Sequence, residues 1–154
     1  MKIETRVRPP LKEFNDRLAK ARKNLAASKP AMKKVSVFLD RWVQDNFKSE
    51  GGKVGGWKEL AAGGRWVRGR GLDTSAKVLQ DTGRGRASFT PFASKNDAGI
   101  GSDLPYMRDH DRGEQGQEQR RILPEGDEVH DEVEEILDDH VKLSFKTERF
   151  EVDD

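Results

Sequence analysis

The stretch RASFTPFASKNDAGIGS, residues 86–102, decides the fold class. Its two ends, Arg86–Ala93 and Ala98–Ser102, carry Phe, Thr, Ile and small residues and predict short strands. Ser94-Lys-Asn-Asp97 between them is turn chemistry, because Ser, Asn and Asp side chains bond back to nearby backbone. A β-hairpin follows. Pro91 has no amide donor, so its strand belongs at an edge or at a bulge.

Upstream, TSAKVLQDT (74–82) points Val78 and Leu79 inward over two turns of helix, with Thr82-Gly83 closing it as a left-handed cap. GGKVGGWKELAAGGRWVRGRGLD (51–73) is glycine-rich and basic, with Trp57 and Trp66 as its bulky anchors. It predicts a long loop, with a short turn at Trp57–Ala61. Before it, Met32, Val35, Leu39, Trp42 and Val43 recur at helical spacing, and Val37, Phe38 and Phe47 widen the apolar arc. Ser28 is the expected N-cap of that helix and Glu50-Gly-Gly its end. A first helix opens after Pro9-Pro10, with Leu11, Phe14, Leu18, Ala21 and Leu25 as its stripe. Residues 1–8 read as a flexible polar arm.

Downstream, residues 103–124 hold Pro105, Gly113, Gly116 and Pro124 among many charges and predict a second exposed loop. Val129, Val133, Ile136, Leu137 and Val141 define a helix with an acidic outer face. Leu143, Phe145 and Thr147 alternate, which suggests an edge strand or acidic tail over 143–154. The expected architecture is α+β: one domain over 9–142, with a small antiparallel β-sheet packed against two or three helices, long loops and extended termini.

Composition limits what such a domain can be. The chain has 154 residues, 33% of them hydrophobic, and no cysteine, which removes disulfides, thiolate zinc sites and thiol catalysis. A mean hydropathy of −0.91 promises a thin core, so part of the burial is expected from partners or from copies of the chain. No apolar run approaches the roughly 20 residues needed to cross a bilayer, and the N-terminus lacks a signal-peptide stretch. A protein made and kept in the cytoplasm, without membrane contact, is the expectation. The formal net charge of +1 hides two poles. Residues 125–154 carry 13 acids and 3 bases, a net of −10, which leaves 15 acids and 26 bases, a net of +11, in residues 1–124. Opposed poles suit head-to-tail contact between copies, or a place between partners of opposite charge.

Enzyme signatures are missing. Asp109-His110-Asp111 starts like a calcium loop, but Gly113 and Arg120 stand where oxygen ligands belong. His110, His130 and His140 make no HExxH and no i,i+4 pair. Gly51-Gly-Lys-Val-Gly-Gly56 is followed by Trp57-Lys58-Glu59, where a phosphate loop needs Lys-Ser/Thr. No serine sits in a GxSxG elbow. No metal, cofactor or catalytic group is expected. Arg65-Trp66, Arg68-Gly-Arg70 and Arg84-Gly-Arg86 mix guanidinium groups with an aromatic and flexible backbone, as single-strand and RNA binders do. A nucleic-acid-binding module using residues 65–86 is therefore one reading. A basic rim that meets acidic protein is the other.

The series Trp57-Lys-Glu-Leu60, Lys77-Val-Leu79, Thr82-Gly83, Ser88, Ile100-Gly101, Pro105-Tyr106, His110, Gly113 and Arg120-Arg-Ile-Leu123 resembles, in order, the pattern of the phage virion morphogenesis family. Asn46-Phe47-Lys-Ser-Glu50-Gly-Gly resembles its lead-in, so the likeness covers roughly residues 32–124. The chain departs from the pattern at Gly85, where a leucine strand anchor is expected, and at Asp111-Arg112, where an aromatic should follow the histidine. Placed on that pattern, Thr82-Gly83 is a helix-to-strand corner, Ile100 points into the core, and His110–Arg121 loops over the sheet edge. The resemblance implies a structural protein of tailed phages, acting at tail completion or head–tail joining as a terminator or neck ring, usually sixfold. Its implied partners are its own copies, tail-tube and neck or connector proteins, and DNA passing through the ring. Its implied place is the virion tail or neck, after assembly in the host cytoplasm. Contacts then fall to the 51–73 loop, the 103–124 loop and the acidic C-terminal segment. The residues expected to carry them are Trp57, Trp66, Arg68, Arg70, Arg84, Arg86, His110, Arg112, Arg120 and Arg121.

Overall fold

A computed structural model describes residues 28–146 and the separate positions 12, 15, 16, 19, 22 and 23. Those six positions are helical and exposed, in keeping with a first helix. The stripe Leu11, Phe14, Leu18, Ala21 and Leu25, the 1–8 arm and the 147–154 tail lie outside the described residues. The fold is α+β, as the sequence leads one to expect.

Helix α1 (Lys29–Lys48) is the frame on which the rest is laid. It buries Ala31, Val35, Trp42, Val43 and Phe47, the face that the apolar spacing marks out. Ser28 does precede it, but its hydroxyl donates to the carbonyl of Lys95 in a distant turn rather than capping the helix. At the far end Glu50 (φ 51°) and Gly51 (φ 87°) both turn left-handed and reverse the chain. Gly51 is obligatory there: a Cβ would stand 2.4 Å from the Trp57 ring. A 3₁₀ turn, Gly52–Val54, completes the reversal and delivers Trp57 back under the helix end, where its amide donates to Glu50 O at 2.8 Å.

The expected 51–73 loop is in part a second hairpin. Strands β1 (Arg65–Val67) and β2 (Gly71–Asp73) pair antiparallel, with Trp66 opposite Leu72. Gly69 (φ 80°) and Gly71 (φ 84°) supply the left-handed backbone that a reversal this tight requires. The expected helix over 74–82 is absent. Glu50 Oε1 takes the Val78 amide at 2.7 Å, Gln80 Nε2 donates to Phe47 O at 2.6 Å, and Leu79 adopts φ 58°. Tertiary hydrogen bonds thus replace the helical ladder, although Val78 does point inward and is buried. Gly83 (φ 73°) opens a single turn, α2 (Arg84–Ala87), instead of closing a helix. Gly85 is no missing strand anchor. A Cβ there would lie 2.6 Å from Met107 Cε, so the methionine already fills the space.

The 86–102 hairpin forms as expected, with its first strand shortened by α2. Strands β3 (Phe89–Ala93) and β4 (Ala98–Ser102) pair antiparallel and lie against α1. The Ser94 amide donates to Asp97 O at 2.7 Å, and the Asp97 amide donates to Ser94 Oγ at 3.1 Å. Ile100 packs against the core. Residues 103–124 are not wholly loop: Pro105–Arg112 form α3, with Pro105 in its first turn and Gly113 (φ 70°) ending it. Its charged sequence hides one buried contact, Met107. Helix α4 (Gly126–Lys146) packs on α1 and continues through the positions expected to start an edge strand.

The core is thin and widely sourced. Trp42, Val43 and Phe47 of α1 meet Trp57, Val78, Phe89, Met107 and Ile122, each from a different segment. Phe47 is central: its ring centroid lies 5.2 Å from that of Trp57, edge-on at 82°, and 5.7 Å from that of Phe89. Burying a side chain of that size stabilises the fold by about 2–3 kcal/mol, so no single segment can be lost without consequence.

Candidate functional site

The segment that closes the core, residues 120–123, has almost no regular structure and is held by hydrogen bonds from three directions. Trp57 Nε1 donates to Arg121 O at 2.8 Å. Asn46, fully buried, donates from Nδ2 to the carbonyls of Arg121 and Ile122, both at 3.2 Å. Asp111 Oδ1 accepts the amides of Ile122 (2.6 Å) and Leu123 (2.9 Å). The Arg120 amide donates to His110 O at 2.7 Å. Asn46, Trp57, His110 and residues 120–123 of the motif series therefore converge with Asp111 on one internal clasp. In sequence Asp111 reads as part of a failed calcium-loop pattern and as a departure from the family pattern. Its carboxylate, one residue before the end of α3, instead satisfies two amides that would otherwise lack partners.

The structure divides the ten expected contact residues. Trp57 is 8% exposed and belongs to the core. Arg121 Nη1 and Nη2 bridge to Glu125 (2.9 Å) and Glu128 (2.5 Å), tying the clasp to the start of α4. Burial opposes its charge, but the hydrogen bonds from Glu128 and Glu125 outweigh that and hold the guanidinium above its usual range. Arg86 Nε donates to Gln44 Oε1 on α1 at 2.6 Å, and Arg120 Nε to Lys58 O at 3.3 Å. Arg112 lies 3.7 Å from Glu114. These side chains are occupied within the chain. Trp66, Arg68, Arg70 and Arg84 are exposed, and the three arginines have no ion-pair partner among the described residues.

The outward-facing group centres on the β1–β2 hairpin. Arg68 and Arg70 flank Gly69 at its turn, and Trp66 stands below them, 73% exposed. The hairpin is ordered from its base. Arg65 pairs with Asp81, and Asp73 Oδ1 accepts the amide (3.0 Å) and hydroxyl (2.7 Å) of Ser75. Those hydrogen bonds from Ser75 hold the Asp73 carboxyl below its ordinary range. Beside the hairpin base, Leu79, Arg84, Tyr106 and His110 border a groove of about 340 Å³. Burial, and then the Arg120 charge, push His110 below the usual imidazole range against the pull of Asp109. Its Nδ1 is buried without a hydrogen-bond partner among the described residues.

The second charged surface is α4. Its apolar face, Val129, Val133, Ile136 and Leu137, is half-buried, and acids cover the rest. Among the described residues, His130, Asp131 and Glu134 bring three metal-ligating groups together on this helix, all exposed to water. Such a grouping is ordinary for an acidic helix face with an i,i+4 pair. No helix among the described residues is long and apolar enough to cross a membrane.

Comparison with known families gives a match to the phage virion morphogenesis family over residues 10–142, from before α1 into the last turns of α4. Comparison with curated proteins and with solved structures gives no match.

Proposed function

Since the chain belongs to the phage virion morphogenesis family, a structural family of virion assembly, we propose that it acts in tail completion or head–tail joining, as the subunit of a tail-terminator or neck ring. The family match over residues 10–142 is the observation that carries this reading. Two features of the chain support the ring. Its core draws single side chains from many segments, which suits a subunit that completes its burial in an assembly. Arg68 and Arg70 stand exposed on one hairpin while acids gather on α4, so copies can join head to tail, and such contacts close into rings when the rotation between copies allows it. A ring of this kind, sixfold on the family expectation, caps the tail tube on one face and presents the other to neck or connector protein. Light scattering coupled to gel filtration, with negative-stain imaging, tests the reading. A ring of uniform size, or binding to tail-tube or neck protein, supports it. A monomer that ignores both overturns it.

The exposed Arg68, Arg70 and Arg84, without an ion-pair partner among the described residues, favour a second reading, contact with DNA, which a neck ring would also meet. Affinity for DNA should then fall steeply with salt, and further with these arginines changed to Ala. No binding at low salt ends that reading.

A further inference from the structure

Resting on the ring reading above, we infer that the β1–β2 hairpin of one subunit docks on the acidic outer face of α4 in a second copy of the chain. The hairpin presents a built surface. Trp66 and Leu72 are cross-strand partners and so share one face, and both are exposed, 73% and 38%. Arg68 and Arg70 stand at the turn above them with no ion-pair partner among the described residues. Arg and Trp are the side chains that most often dominate the energetics of a protein contact. Within one chain the hairpin's main contacts are between its own two strands.

Charge and spacing select the occupant. On α4, Asp131, Glu134, Asp138 and Val141 follow at intervals of three, four and three, which places them on one face of the helix. All four are exposed; Asp131, Glu134 and Asp138 lie on the acidic outer face, and Val141 stands at its border with the apolar stripe. His130 shares this face, with Nε2 3.9 Å from Glu134. Two residues along a strand span about 7 Å. Three to seven residues along a helix span about 5–10 Å. The turn arginines can thus meet Glu134 and Asp138 while the Trp66–Leu72 pair settles over Val141. Each guanidinium fork matches a carboxylate, and the tryptophan shields the pairs from water. A hairpin and a helix face are different patches of one subunit, so the contact repeats head to tail.

Charge reversal tests the pairing in the full-length chain. The variants Arg68→Glu with Arg70→Glu, and Glu134→Arg with Asp138→Arg, change exposed side chains only, so their thermal melts should match the parent. Each pair alone should convert the ring to monomer on gel filtration with light scattering. The chain carrying all four changes should recover the ring. A ring that survives either reversal, or a fourfold variant that stays monomeric, overturns the docking while leaving the ring reading intact. Loss of DNA affinity with the ring unchanged would assign the hairpin to DNA and overturn it too. A parent chain that is itself monomeric overturns the docking, and one that also ignores tail-tube and neck protein overturns the reading it rests on.

Discussion

Trp57 and Trp66 come from the same glycine-rich stretch and meet opposite fates. Trp57 is folded back by Glu50 and Gly51 against Phe47, and its indole N–H is spent on Arg121 O. Trp66 stands on a hairpin that packs mainly on itself, with its ring in water. Both look alike in sequence: a bulky anchor among glycines and bases. What separates them is the partner across the fold. The clasp at 120–123 reaches Trp57, and among the described residues no comparable segment covers Trp66. The first region reads as the device that holds the subunit together, the second as the surface it offers outward.

That contrast can be broken. The largest effect should come from Trp57→Ala, which empties a core site and removes one of the two donors to the Arg121 carbonyl; a loss of about 3–5 kcal/mol is expected in a urea melt. Were Trp57 a contact residue instead, the melt would barely move. Asp111→Ala should follow at about 2 kcal/mol, because two part-buried amides lose their acceptor. Gly51→Ala comes next. Forcing a Cβ into a left-handed position costs about 1–2 kcal/mol before any clash with the Trp57 ring, and the same melt reads it.

A pH series sharpens the clasp further. The folded His110 titrates below 6.5, its value in the unfolded chain. Between those two values the unfolded chain binds more protons, so stability is full above pH 6.5 and declines as the pH falls below it. His110→Gln should flatten that slope in melts collected from pH 7.5 down to 5. The smallest change in folding belongs to Trp66→Ala, within about 0.5 kcal/mol. If the hairpin docks as inferred, this variant loses the ring at the same time, and that split between stability and assembly is the sharpest form of the comparison.

How much was legible follows from how local each cause is. The phase of α1 is written in Val35, Trp42, Val43 and Phe47, and the 94–97 turn in its own side chains, so both were readable. Helix α3 had its punctuation in view, Pro105 at the start and Gly113 at the end. It reads as loop because its charges conceal a single buried methionine. The β1–β2 hairpin was hidden by its glycines, which signal a turn without saying how long the flanking strands are. Segment 74–82 has helical spacing, and its amides are claimed from elsewhere, by Glu50 and through the Phe47 carbonyl. Of the expected contact residues, exposure separated Trp66, Arg68, Arg70 and Arg84 from those engaged in the chain, a division that no spacing could show.

By itself the sequence determined the two charged poles, the family, the helical frame and the 86–102 hairpin, because each depends on composition or on neighbours within a few residues. Only the tertiary structure decided which tryptophan is core, that Asp111 and Asn46 hold 120–123 in place, and that Gly85 makes room for Met107. Those outcomes depend on groups brought together from across the chain, and a thin core leaves many of them to single hydrogen bonds.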